Sequence, residues 1–345
     1  MTDLLQLWMS NKAIFNSSYV IDGLTMEASP AQLLGSDEKL DTSDCVVDES
    51  LDPSPGGYPF EDSKIMTYLA AIRGKSCPVD LMYAASRARC ELAYALTEAL
   101  WTDGHFLLED LSLSLDWSGK VAGLGSGAAL YKAAEELAEL ASDLDLSIRE
   151  RKFSEGERRL AFNIIGAGER RKLSSKLLPQ EGSWIIYLPF DTDDFHLGGS
   201  LLTSVLGISG GKSPRMEDPD YLMDCVELVR ELVEDGILLS AATVRRGGLL
   251  SALDSMCSEK LGMDIDISGL KRAYPSSDLS RILFSELPGA VIQINDSDFD
   301  YIDAEMLLQD LMYFPLGHPS LGLKGIRLSC GQKIGIEAIL DSLVR

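Results

Sequence analysis

Between Trp184 and Ile294 short apolar runs alternate with longer ones in which apolar residues return about every 3.6 positions. Strands and amphipathic helices in alternation bury their apolar faces against one another, so this stretch is restricted to layers of helix on sheet. WIIYLPF, at 184–190, reads as a buried strand, and PDYLMDCVELVRELVEDG, at 219–236, reads as an amphipathic helix. ILLSAAT then leads through RRGG into a second helix, LLSALDSMCSEKLG. MDIDIS and AVIQI read as strands, and a further helix is expected within 300–313.

Upstream the pattern changes. Residues 81–100 and 128–144 are rich in alanine and leucine and read as long, largely buried helices. The turn before the second, Gly125-Ser126-Gly127, lets a backbone turn approach closely, while Glu135, Glu136 and Glu139 mark a solvated side rather than a metal box. The first 80 residues mix DCVV, a strand, with the turn-rich DPSPGGYP at 52–59. A chain of 345 residues holds two domains of roughly 150 to 180 residues. The expected division is 1–182 and 183–345, giving an α/β or α+β protein.

The charge narrows the partners. With 31 Lys+Arg against 54 Asp+Glu the chain carries −23, which repels nucleic acid and anionic membrane and favours solubility or a basic partner. One island reverses the sign: from Arg149 to Lys176 nine basic residues face four acidic ones. Surface charge is the plain reading of it, and a docking patch for an acidic partner or phosphate is the functional one. Six scattered cysteines have no C-x2-C spacing, and His105, His196 and His318 are too isolated for a zinc site. No apolar run reaches a membrane-spanning length, so the expectation is a soluble intracellular protein of cytoplasm or organelle interior.

Few motifs carry chemistry. Gly198-Gly199-Ser200 and Gly247-Gly248 each sit between a strand and a helix, where exposed N–H groups suit phosphate, though tight turns use glycine equally well. ISGGKSP, at 208–214, lacks P-loop spacing. His196 is the best of weak general-base candidates, and Asp193 with Asp194 or Asp264 with Asp266 are weak Mg2+ candidates.

The ordered series of segments resembles the second synthetase half of phosphoribosylformylglycinamidine synthase, a family in the aminoimidazole ribonucleotide synthetase-like superfamily. SNKAIFNSSYVIDGLT, AASRARCELAYALTEAL, GSGAALYKAAEELA, FHLGGSLLTSVLG, VRRGGLLSALDSMC and LFSELPGAVIQI are similar to its segments in order and across nearly the whole chain. The resemblance implies an N-terminal domain that forms a β-barrel across a dimer or pseudodimer, and a C-terminal α/β domain. It also implies ATP and Mg2+ in the cleft between them, and synthesis of formylglycinamidine ribonucleotide from ATP, ammonia and the formylglycinamide substrate.

The departures from the family pattern concentrate on its acids. GKDS becomes Arg151, Lys152, Phe153, Ser154, and HD-x-SDGG becomes Ala242, Thr243, Val244, Arg245, Arg246, Gly247, Gly248. The glutamate of GEGAAL is Ser126, and EALTN begins with Tyr94 and ends on Glu98. The EE pair keeps Glu286 but has Leu287 second. Mg2+ needs close oxygen ligands, and these changes remove most of them. The expectation is therefore a non-catalytic, synthetase-like structural or interaction subunit, with a barrel-mediated homodimer or partner. No catalytic or metal residues and no required cofactor are expected, though ATP or ADP remain possible ligands. The cleft lining is assigned to Gly198, Gly199, Ser200, Arg245, Arg246, Gly247 and Gly248. Two alternatives stand beside it: an amidine synthase half acting with partner chains, and a metal-independent nucleotide-binding regulatory module.

Overall fold

The computed structural model describes residues 11–48, 81–119, 125–156, 159–206 and 211–335. The DPSPGGYP loop, Cys77 and the first residues of ISGGKSP lie outside the described residues. The chain separates into two compact units that exchange sequence. Unit 1 holds Met1–Ser54, Pro78–Ala95 and Leu107–Gly166; unit 2 holds Pro55–Cys77, Leu96–Phe106 and Ala167–Arg345.

In unit 1, helix α1 (Asn11–Asn16) leads into β1 (Ser17–Ile21). Asp22 and Gly23, both at positive φ, turn the chain into β2 (Leu24–Thr25), as a two-residue hairpin requires. Helix α2 (Pro30–Leu33) opens with a capping box, in which Gln32 N–H donates to Ser29 Oγ and Ser29 N–H to Gln32 Oε1. β3 (Asp41–Asp48) pairs with β1 in parallel. Helix α3 (Ala84–Leu100) runs from the unit 1 segment into that of unit 2. β4 (Ser112–Ser118) lies between β5 (Ser147–Ser154) and β6 (Arg159–Ile165), parallel to the first and antiparallel to the second.

Helix α4 (Ser126–Asp143) buries its alanine- and leucine-rich face, as its pattern predicts. Its glycine start holds a side chain of this same unit: Asp48 accepts from the N–H groups of Gly125 and Gly127, 2.6 Å each, and of Ala128, 3.2 Å. A carboxylate there satisfies orphan donors and meets the positive end of the helix.

Unit 2 is built on one six-stranded sheet in the order β12-β9-β11-β7-β10-β8. Its strands are β7 (Trp184–Pro189), β8 (Leu238–Val244), β9 (Leu261–Asp266), β10 (Gly289–Ile294), β11 (Phe314–Leu321) and β12 (Ile326–Ser329). Every pairing is antiparallel except β12 with β9. β10 is buried at all six positions, which is why it reads as an unbroken apolar run; its one amide, Gln293, is matched by Leu178, Ser183 and Ser240. Between the strands come α5 (Leu201–Leu206), α6 (Pro219–Glu234), α7 (Gly248–Met256), α8 (Ser268–Ala273), α9 (Leu279–Phe284) and α10 (Phe299–Leu308).

The barrel-forming N-terminal domain is not what unit 1 contains. Its strands make two separate three-stranded sheets, β2-β1-β3 and β5-β4-β6, and neither closes on itself among the described residues. Small closed barrels take about eight staggered strands, and β2, at two residues, is too short to continue a ladder. The homodimer or partner contact expected through a barrel half loses its structural basis with it.

The basic island is not one patch for an acidic partner either. It is divided between the units at Gly166/Ala167, and most of its cations have internal acceptors. Arg151 donates to the carbonyls of Leu34 and Ile148, Lys152 faces Glu150, and Arg170 faces Asp103. Arg171 binds Glu98 and the Ala241 carbonyl, Lys172 the Val233 carbonyl, and Lys176 the carbonyls of Ser255 and Cys257. Sequence shows the charge excess but not the carbonyls that consume it.

No helix among the described residues is long and apolar enough to cross a membrane.

Candidate functional site

Two glycine turns of unit 2 meet on one buried carboxylate. The first, Gly198-Gly199-Ser200, precedes α5, and the second, Arg245-Arg246-Gly247, runs from β8 into α7. Both need glycine. Gly199, Gly247 and Gly248 have positive φ. A Cβ on Gly198 would meet the carbonyl oxygens of Gly211 and Lys212 at 2.5 and 2.7 Å, and one on Gly248 would meet the backbone of Leu283 and Phe284 at 2.7 Å.

Glu286, fully buried, joins them. Its Oε1 accepts from Leu201 N–H at 2.6 Å, at the start of α5, and from Gly247 N–H at 2.8 Å, at the start of α7. Its Oε2 lies 3.2 Å from an Arg246 nitrogen, and Arg246 also donates to the Gly199 carbonyl at 3.3 Å. Donors that could have held a phosphate are thus engaged by a carboxylate of this chain, and the negative charge is matched by Arg246.

Arg245 behaves differently. Its side chain is 61% exposed and lies 3.9 Å from Glu98, whose other oxygen is 3.2 Å from Arg171. Burial lowers the Arg171 pKa, the Glu98 charge opposes that shift, and the Arg245 charge adds to it. Two departures from the family pattern, Glu98 and Arg245, are therefore opposite charges placed side by side. Ser200 is buried, and its hydroxyl accepts from Thr203 N–H at 3.3 Å as a cap. Of the seven assigned residues, Gly199, Arg246 and Gly247 contact each other or Glu286, and Ser200 sits immediately before Leu201. Arg245 points to Glu98, and Gly198 packs against the 211–212 turn.

The remaining candidates go elsewhere. His196 Nε2 lies 3.6 Å from Asp193, whose nearer partner is Lys212 at 3.0 Å. Burial first, then Lys212, holds the His196 pKa below the ordinary imidazole value. Asp194 accepts from Ser276. Asp264 and Asp266 are both exposed on β9, as strand alternation predicts, with Asp264 paired to Arg327 at 2.8 Å and Asp266 accepting from Ser268 N–H. His105 binds Glu234, and His318 packs tilted against Trp184, with ring centroids 4.1 Å apart. Phe153, in place of the family acid, is core, 5.7 Å from Phe15, and Leu287 is core as well.

No group of three His, Cys, Asp or Glu that could hold a metal occurs among the described residues. Mg2+ does not fit at Glu286: an octahedral ion needs several oxygens at about 2.1 Å, whereas Oε1 of this carboxylate already accepts from two N–H groups and Oε2 faces a guanidinium. A nucleotide phosphate is better matched to Arg245, which is exposed and only loosely paired.

Among known proteins, no family model matches the chain. The human phosphoribosylformylglycinamidine synthase is 26% identical over 250 residues, 67% of this chain and 18% of that protein. A probable chloroplast and mitochondrial synthase of the same name from Arabidopsis thaliana is 25% identical over 236 residues, 62% of this chain and 16% of that protein. The chain thus spans less than a fifth of either relative. Among solved structures, PurL of Thermotoga maritima complexed with FGAR gives a TM-score of 0.56 at 14% identity, covering 76% of this chain and 44% of that one. The same protein complexed with ATP gives 0.51 at 15%, covering 75% and 42%. At these identities the structural matches speak for the fold.

Proposed function

The chain is a homologue of phosphoribosylformylglycinamidine synthase at the level of the family, and from that premise we propose that it works as a synthetase-like half of an ATP-dependent formylglycinamidine ribonucleotide synthase, together with partner chains. The observation that carries this reading is the alignment of about two-thirds of the chain with both the human and the plant synthase. The chain's own residues supply nucleotide contact rather than metal chemistry. Arg245 is the exposed cation for a phosphate, while Arg246 stands beside the retained Glu286 where a metal would need oxygen ligands. Metal-assisted phosphoryl transfer then falls to the partner chains.

The non-catalytic subunit is the second reading, and the Arg246–Glu286 pair is what favours it. Calorimetric titration with ATP and ADP, with and without Mg2+, separates the readings. The synthetase-half reading expects binding that does not depend on the metal and weakens about tenfold in Arg245→Ala, the loss of one charge-assisted contact. It also expects turnover when partner chains, ATP, ammonia and the formylglycinamide substrate are supplied. Nucleotide binding without turnover would leave the regulatory module. No binding would return the chain to the structural subunit, and binding that requires Mg2+ would refute the assignment of Arg246.

A further inference from the structure

Helix α10 is apolar on two sides, and only one of them is used. Its inner side buries Ile302 and Met306 completely. At about 100° per residue, Tyr301, Ala304, Leu307 and Leu308 lie together on the opposite side, with exposed Asp300 among them. There Tyr301 is 46% exposed, Leu307 68% and Leu308 80%. A surface helix ordinarily carries charged or polar residues on that face.

The charged residues of this segment are all acidic. From Asp296 to Tyr313 the sequence holds Asp296, Asp298, Asp300, Asp303, Glu305 and Asp310 and no lysine or arginine. Exposed Glu231 and Asp235, at the C-terminal end of α6, add to it. Desolvation first, then the charges of Glu305, Asp235 and Glu231, raises the Tyr301 hydroxyl pKa, so these carboxylates act on the Tyr301 side of the face. A helix C-terminus favours cations on its own account.

We propose that this face docks a basic amphipathic helix of a partner polypeptide. Its apolar ridge lies along Tyr301, Ala304, Leu307 and Leu308, and its lysines or arginines meet Asp300, Glu305, Glu231 and Asp235. A second copy of this chain is the wrong occupant. It would bring the same carboxylates against each other, on molecules that each carry −23. None of the residues around Glu286 takes part in this face.

The test is calorimetry of the full chain with a designed helical peptide of leucine, alanine and lysine. Binding is expected at low salt, weakening about tenfold or more when the salt is raised to about 0.5 M. The double variant Leu307→Ser/Leu308→Ser, which leaves every charge in place, is expected to bind about tenfold more weakly with an unchanged melting temperature. A peptide with glutamate in place of lysine is expected to give no heat. Equal binding by the double variant would reduce the effect to bulk charge and overturn the proposal, as would equal binding of the glutamate peptide. Sedimentation showing a dimer that the double variant dissociates would assign the face to a second copy and overturn it too.

Discussion

Arg246 and Glu286 form a pair in which the two members are unequal. Glu286 is fully buried, whereas Arg246 keeps 18% of its side chain in contact with solvent. Removing the arginine alone strands a carboxylate in low dielectric, and such losses run to about 3 kcal/mol or more. Removing both charges takes away the desolvation cost along with the attraction. Arg246→Met is therefore expected to lower stability by about 3 kcal/mol, and Arg246→Met/Glu286→Gln by clearly less. Urea unfolding of the wild type, both single variants and the double variant closes the cycle. Additive losses would mean that the two charges are not coupled. The sequence singles out both residues, one as a retained acid and the other as an added cation, but not their pairing. They are 40 positions apart, and nothing in local pattern sets that contact. Glu98 and Arg245 were legible in the same limited way, as separate departures from a motif.

At the scale of elements the periodicity was informative wherever burial was one-sided or complete. α3, α4, α6 and β7 stand within a few residues of where apolar spacing puts them. The segment read as one helix from Leu249 through Gly262 is two elements, α7 ending at Met256 and β9 starting at Leu261. Its second half is too short for periodicity to separate. β5 and β6 were hidden because their residues are mostly exposed or half-buried and many are charged, so the stretch reads as loop. Glycine turns were legible as turns, but what fills them was not: Asp48 and Glu286 arrive from distant sequence. The turn into α7 gives a measurable consequence. Gly248 and Gly236 share a φ of 72°, yet a Cβ on Gly236 would meet nothing within 4 Å, whereas one on Gly248 would strike the backbone of Leu283 and Phe284 at the end of α9. Gly236→Ala is expected to cost about 1 kcal/mol, the price of left-handed backbone alone. Gly248→Ala should lose about 3 kcal/mol or more through the added overlap, and thermal unfolding of the two variants measures the difference. Equal losses would mean that α9 yields to the methyl.

For the whole molecule the decisive feature is the exchange of chain between the units. Leu96–Phe106 belongs to unit 2 although 60 residues, Leu107–Gly166, separate it from Ala167. Trp101 in this segment is fully buried and donates its indole N–H to Thr243 at 2.9 Å, across 142 positions of sequence. Arg230, itself nearly buried, donates to the carbonyls of Leu100 and Thr102 at 3.1 Å each, and its guanidinium lies 4.2 Å above the Phe106 ring. Local pattern cannot announce such a segment, because α3 reads as one continuous helix across the division. A fragment of residues 167–335 loses all of these groups together. The missing tryptophan leaves a cavity worth about 3 to 5 kcal/mol, and Arg230 loses two carbonyl acceptors and the Phe106 ring, keeping its ion pair with Glu234. Those losses approach the whole stability of an ordinary domain, about 5 to 15 kcal/mol. The fragment is expected to give no cooperative thermal transition, and one joined through a glycine-serine linker to Leu96–Phe106 is expected to recover it. Calorimetry of both fragments decides the matter. A cooperative transition in the bare fragment at the temperature of the full chain would mean that the sheet and its helices hold without the segment, and that Trp101 rests on unit 2 without supporting it.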